Sequence, residues 1–373
     1  MKIGFVVNDI TQLGGVERVV AILSTCFAEK AGHEVTIFSC LSRQDNEEKY
    51  FDFSVKGISI IHLAKDIAPD SWIFKNPFSK PTFLKYLILK KIKSYLTNNP
   101  LEIIISTSCW SNCFLPFFSN GAKVVACDHG AFNFIPWIYR CISRICYPFA
   151  DAVVSLTARN LKNYTFIKED KKYIIPNMQS FFSDTVSLCE NKTLITVTRF
   201  SYQKGVDTQL HIAARLKEQL PDWRMDIYGA GEDEEKLLAL RKKLDLEDFV
   251  HFYPPTTEIK EKLCNAGIYI LSSRFEGLPM VLLEAQICGL PSVAFDCDCG
   301  PADIISDGED GYLIPQNDID AFANAVVKLA KNDKLRKAFG KQAKKNSERF
   351  APEKILQMWQ TLFTKLVEKN NAE

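Results

Sequence analysis

The 373-residue chain alternates short apolar β-type runs with longer helical runs, and it does so in two successive series. The first series places strands at Lys2 to Asn8, Glu34 to Ser39, Ile103 to Ser106, Lys123 to Cys127 and Ala152 to Leu156. Helices are expected to begin near Gly15, Pro81 and Thr157. After IIPN at 174–177 the pattern restarts. Strands are expected at Thr193 to Val197, Arg224 to Tyr228, Val250 to Phe252, Ile268 to Leu271 and Ser292 to Phe295. Alternation of this kind predicts parallel sheets with crossover helices. Two series predict two Rossmann-like domains, with a ligand at the carboxyl ends of the strands, in the cleft between them. The expected division is 1–178, 179–351 and a final helical segment, 352–373. The length suffices for two cores.

Bulk charge adds one clue. The net charge is +1, but residues 1–178 carry 21 Lys and Arg against 15 Asp and Glu, net +6, and residues 179–373 carry 25 against 30, net −5. A basic first half suits an anionic partner such as a diphosphate or a membrane surface. The twelve cysteines include no C-x2-C pair, and Cys297 and Cys299 form a lone C-x-C without nearby histidine. With no secretory signal before MKIGFVVND, scattered cysteines read as reduced thiols in a cytosolic protein, and no metal site is expected. No basic stripe with interleaved aromatics suggests nucleic-acid binding.

The densest chemistry lies in SSRFEGLPMVLLEAQICGLPSVAFD, residues 272–296. Glu276 and Glu284 stand eight positions apart. Gly277, Leu278 and Pro279 open a helix between them, with Pro279 placed in its first turn. Gly289 and Pro291 end it. Helix N-terminal amides favour anions, and helical spacing brings Glu284 near the face of Glu276. Such a site suits a ligand with both phosphate and sugar hydroxyls. Arg199 and Lys204, in TRFSYQKG, follow a strand and supply two cations of the kind a diphosphate needs. A fork that grips two oxygens makes Arg199 the more important. Gly14 and Gly15 precede the helix VERVVAILSTCF and let amides face a ligand. Gly229 and Gly231, in DIYGAGEDEEKL, lack the third glycine of a dinucleotide fingerprint, because position 234 is Glu234.

These stretches occur in a fixed order: NDITQLGGVERVV, VVACDHGAFN, IIPNMQ, TRFSYQKGVD, DIYGAGEDEEKL, the E-x7-E block and FDCDCGPADIISDGEDGYLIP. Together they resemble the retaining glycosyltransferases of family 4, of the bacterial surface-polysaccharide and glycan-assembly type, over nearly the whole chain. The resemblance implies a GT-B fold: two Rossmann-like domains facing a central cleft, with the C-terminal helix crossing back to the first. It implies transfer of a sugar from a nucleotide-sugar, here a UDP-sugar, to a hydroxyl, with retention and without a metal or other cofactor. It assigns Arg199 and Lys204 to the donor pyrophosphate. Glu276 goes to a donor-sugar hydroxyl and the amides of Gly277 to Met280 to sugar and phosphate. Glu284 goes to the ribose hydroxyls, and His129 to a polar contact near the reacting carbon. The base is expected between the Gly229–Gly231 turn and the loop Tyr253 to Thr257, where FYPPT replaces the glycine common in relatives. His33 reads as structural.

Two segments are apolar with interspersed cations: FLKYLILKKIKSYL at 83–96 and FIPWIYRCISRICYPF at 134–149. Neither is long enough to span a bilayer. They fit a peripheral patch on an anionic membrane, at the cytoplasmic face, beside a glycan or polyprenyl-diphosphate-linked acceptor. They fit core-packed helices equally well. Two other functions stay open: a nucleotide-sugar epimerase on the same architecture, and a catalytically silent nucleotide-sugar binder.

Overall fold

A computed structural model describes residues 1–12, 14–41, 52–64 and 80–368. The chain divides into two compact units, Met1–Met178 with Pro352–Glu373, and Gln179–Ala351.

Unit 1 holds a seven-stranded, wholly parallel sheet. Its strands are β1 (Lys2–Val7), β2 (Glu34–Ser39), β3 (Ile58–His62), β4 (Ile103–Ser106), β5 (Lys123–Asp128), β6 (Ala152–Ser155) and β7 (Lys172–Ile174), in the order β3-β2-β1-β4-β5-β6-β7. The central strands are buried on both faces, which is why they read as continuous apolar runs such as IIIS and AVVS. The strand order reverses between β1 and β4, and that switch point is where such sheets open a crevice for ligands. Helix Gly15–Glu29 returns from β1 and buries Val19, Val20, Leu23 and Phe27.

Helix Pro352–Glu368 belongs to this unit although it follows unit 2 in sequence. Phe27 is its anchor. The Phe27 ring stacks on Phe5 at 5.8 Å and meets Trp359 and Phe363 edge-on at 6.1 and 5.3 Å. His33 packs edge-on against Phe27 and Phe363, a structural role as its setting suggested, and burial lowers its pKa. Lys30 and Glu353 close the contact at 2.5 Å.

Unit 2 repeats the plan with six parallel strands: β8 (Thr193–Val197), β9 (Arg224–Tyr228), β10 (Val250–Tyr253), β11 (Ile268–Leu271), β12 (Ser292–Asp296) and β13 (Gly311–Pro315). Their order is β10-β9-β8-β11-β12-β13, so the switch point lies between β8 and β11. Three strands were not anticipated from the sequence: β3, β7 and β13. The other ten lie within one residue of expectation.

All twelve cysteines are free thiols, most of them buried. Among the described residues no group of three or more His, Cys, Asp or Glu could hold a metal ion, and no helix is long and apolar enough to cross a membrane.

Candidate functional site

In unit 2 the loops after β8 and β11 meet across the switch point. The Lys204 Nζ lies 2.7 Å from Glu276 Oε1, with both side chains largely buried. The Ser273 hydroxyl donates to the same oxygen at 2.6 Å. Gly205 makes the approach. It adopts φ +62°, and a Cβ there would run into the carbonyl of Ser272. The Ser272 hydroxyl in turn bonds the Lys204 carbonyl and Gln209. Further out, Arg274 grips Asp207 with two bonds of 3.0 and 2.7 Å and lies over the Tyr202 ring at 4.2 Å. Gln203 donates to the Phe275 carbonyl, and the Arg274 amide donates to Gln203. Two loops some seventy residues apart are thereby one rigid body. Arg199 stands exposed at the start of the first loop.

The E-x7-E block differs from expectation in its geometry. Helix Met280–Ile287 starts after Gly277, Leu278 and Pro279 rather than with them, and Pro279 is its N-cap rather than part of its first turn. No side chain caps it. Glu276 therefore sits in the preceding loop, and helical periodicity does not relate it to Glu284. The two carboxylates have different partners: Glu276 has Lys204 and Ser273, whereas Glu284 accepts from the Ser180 hydroxyl at 2.6 Å. They do act on one buried group. Burial and the charges of Glu276 and Glu284 push the Tyr269 phenol well above its ordinary range. The helix stop is as anticipated, with Gly289 at φ +65°.

Gly277, Leu278 and Met280 line the turn into the helix. Behind them Gly300, at φ +98°, lies so close that a Cβ would meet Pro279 and the Gly277 carbonyl. Cys299 donates its thiol to the Glu276 carbonyl at 3.5 Å, and Cys297 donates to the Cys299 carbonyl. The C-x-C pair is thus a backing for the Glu276 loop.

Gly229 and Gly231 have a reason that sequence reading missed. A Cβ on Gly229 would overlap the Thr198 carbonyl, and one on Gly231 the Phe200 backbone. The Phe200 amide also donates to the Ala230 carbonyl at 2.9 Å. The two glycines let this turn clasp the backbone on both sides of Arg199. Next to them Tyr228 and Tyr253 stack at 4.8 Å with an 18° interplanar angle.

Unit 1 carries two expected elements at its own sheet's carboxyl edge. Gly14 is the N-cap of helix Gly15–Glu29, and a Cβ there would collide with the Glu17 carboxylate, which folds over it. A Cβ on Gly15 would meet open space. The preceding loop is tied across the switch point by Trp110, whose Nε1 donates to Asn8 at 2.8 Å.

His129 follows β5, half-buried, with no bond to its buried Nδ1. Burial pushes its pKa down to about 4, so the ring is neutral at physiological pH. Asn160 fixes its loop. The Asn160 Oδ1 accepts from the Phe132 amide at 2.8 Å, and its Nδ2 donates to the Gly130 carbonyl at 3.1 Å. The neighbouring Asp128 is buried and accepts from Asn112, Tyr147 and Tyr164. Burial raises its pKa, and these three donors pull it back. Neither Asn160 nor Asp128 was picked out from the sequence.

Comparison with known proteins gives this geometry a family. Residues 13–178 match the model described as Glycosyltransferase Family 4, and residues 179–346 match that of Glycosyl transferases group 1. The chain is 30% identical to an uncharacterized glycosyltransferase of Haemophilus influenzae over 96% of its own length and 98% of the relative's. It is 29% identical to the amylovoran biosynthesis glycosyltransferase AmsD of Erwinia amylovora, again over 96% and 98%. A solved structure of a TarM variant from S. aureus, in complex with fondaparinux, α-GlcNAc-glycerol and UDP, superposes with a TM-score of 0.78 at 17% identity, covering 97% of this chain and 99% of that one. The chain belongs to the family 4 glycosyltransferases of the GT-B fold.

Proposed function

We propose that the protein is a retaining transferase that moves a hexosyl or N-acetylhexosaminyl group from a UDP-sugar to a hydroxyl of a surface glycan, carried on a polyprenyl diphosphate at the inner face of the cytoplasmic membrane. One observation carries the reading. The Lys204–Glu276 pair is built into the switch point of unit 2 with exposed Arg199 at the start of the same loop. One cation paired with a carboxylate, and a second cation on the same loop, suit a donor that is diphosphate at one end and polyol at the other. Arg199 and Lys204 would neutralise the charge that grows on the leaving phosphate. Glu276 would hold a sugar hydroxyl, and Lys204, with three donors, would serve both partners. The amides of Gly277, Leu278 and Met280 would lie against sugar and phosphate, with Pro279 shaping the turn. Glu284, oriented by Ser180, would accept from the ribose hydroxyls. Gly229 and Gly231 would hold the turn beside the nucleoside, and Gly14 and Gly15 would offer amides from unit 1. His129, neutral at pH 7, would make a polar contact to the donor sugar and would not need to act as a base. The leaving phosphate would take the acceptor's proton on the face it departs from, with no metal required.

The test has two stages. Thermal stabilisation is measured with UDP, GDP, ADP and CMP, in wild type and Glu284→Ala. UDP at about a hundredfold over its dissociation constant should add about 2.7 kcal/mol in wild type and less in the variant. Transfer from UDP-glucose, UDP-galactose and UDP-GlcNAc to lipid-linked glycan is then followed in the presence of EDTA, with the product's anomeric configuration read by NMR. Inversion, dependence on a divalent metal, or conversion of the donor without acceptor would each overturn the corresponding part of the reading. The last would indicate an epimerase. UDP binding without turnover on any acceptor would indicate a silent binder.

A further inference from the structure

Glu276 takes both of its donors on one oxygen. Lys204 Nζ lies 2.7 Å and the Ser273 hydroxyl 2.6 Å from Oε1, and among the described residues Oε2 receives neither an ion pair nor a hydrogen bond. The two oxygens of a free carboxylate are equivalent and exchange by rotation of its last torsion. An ammonium on a long flexible stem serves either one equally well. Ser273 is different. Its side chain is short, it stands three residues before Glu276, and it is only 1% exposed. Its backbone is held where β11 ends. Gln316, after β13, donates to the Ser273 carbonyl at 3.5 Å, and the adjoining Ser272 hydroxyl bonds the Lys204 carbonyl and Gln209. A hydroxyl fixed in this way breaks the symmetry of the carboxylate.

The S-x-x-E spacing could instead serve a capping box, in which the serine oxygen accepts from a backbone amide at the start of a helix. That device is not made here. The helix starts only at Met280, and the Ser273 hydroxyl donates to the Glu276 side chain. Nor does Glu276 need the hydroxyl to balance its charge, because Lys204 already does so. What the hydroxyl adds is direction.

We infer that Ser273 is a positioning residue for the donor sugar: it holds Glu276 by Oε1, so that Oε2 is the oxygen left to accept from a sugar hydroxyl. The inference rests on the donor reading given above and concerns only the sugar end of the donor. UDP without its sugar has no hydroxyl to offer Oε2, and this supplies the control. Dissociation constants for UDP, UDP-glucose, UDP-galactose and UDP-GlcNAc, and kcat/KM for transfer from each of the three sugars, are measured on the full chain in wild type, Ser273→Ala and Ser273→Thr. UDP should bind Ser273→Ala as it binds wild type, which also shows that the site is folded. For the preferred sugar kcat/KM should fall roughly tenfold to a hundredfold, the range for a lost hydrogen bond to a charged group. The preference over the other two sugars should narrow, because a carboxylate free to turn accepts from hydroxyls in more than one direction. Ser273→Thr, which keeps the hydroxyl, should recover most of both. Unchanged kcat/KM and sugar preference in Ser273→Ala would overturn the inference. So would a parallel loss of UDP binding and transfer, which would make Ser273 a structural residue only. If wild type binds UDP-sugars without turnover, the transferase reading falls, and the affinity of UDP-sugar relative to UDP still decides the role of Ser273. A wild type that binds no UDP-sugar overturns both.

Discussion

Arg199 and Lys204 look equivalent as cations, yet only one can be tested cleanly. Removing Lys204 leaves the nearly buried Glu276 charge without its counter-ion, a change that costs about 3–5 kcal/mol in typical buried pairs. A fall in activity would then report instability as well as chemistry. Arg199 is exposed and its loss leaves no buried charge behind. Arg199→Ala should lower kcat/KM roughly a hundred- to a thousandfold with an unchanged melting temperature. Arg199→Lys should restore only part of it, because a point charge cannot replace a planar fork. Steady-state kinetics beside a thermal melt decide both. Arg199 and Lys204 were legible in the sequence because they are near neighbours after a strand. The Asp207–Arg274 grip that steadies them was not, since the two residues are 67 positions apart and no local pattern links them.

At the scale of elements, each strand missing from the sequence reading is an edge strand: β3 and β7 in one sheet, β13 in the other. Interior parallel strands are covered on both faces and announce themselves as apolar runs. Edge strands have fewer neighbours and mixed patterns, as the half-exposed ISIIH of β3 illustrates. Loop geometry was legible only where glycine signalled it. Gly289 is one such place, whereas Gly205, which brings Lys204 to Glu276, was not singled out. Gly205→Ala adds a Cβ against backbone that cannot step aside, at a positive φ, and should cost more than about 1 kcal/mol while separating Lys204 from Glu276. A denaturant titration measures the cost, and a larger loss of activity than of stability would report the separation.

The end of β5 carries a pH signature. His129 titrates at about 4 when folded and near 6.5 when unfolded, so between these values the unfolded chain binds the extra proton. Stability from this residue is complete above about 6.5 and is lost as the pH falls towards 4. Asp128 works the other way. Its folded pKa is raised, so its ionisation opposes folding at neutral pH and protonation relieves that on the acid side. Stability measured from pH 7 to pH 4 should therefore fall less steeply in His129→Gln and more steeply in Asp128→Asn.

For the whole molecule, the split is uneven in connectivity. Unit 2 is one continuous stretch, whereas unit 1 is assembled from residues on either side of it. Deleting everything from Pro352 onward strips Trp359 and Phe363 from Phe27. Truncating even one such aromatic typically costs about 3–5 kcal/mol, against total stabilities of about 5–15. The truncated protein should lose the calorimetric transition of unit 1 and keep that of unit 2, and residues 179–351 expressed alone should fold. Survival of both transitions would refute the anchoring role of Phe27.

This connectivity also sets a timetable for synthesis. Multidomain chains usually mature from the N-terminus as they leave the ribosome. Here unit 1 starts to emerge before unit 2 and finishes after it, because it waits through translation of the whole of unit 2 for the helix that caps its core. During that interval Phe27 and its neighbours are uncovered, so the nascent N-terminal half is the stage at which chaperones have the most to hold.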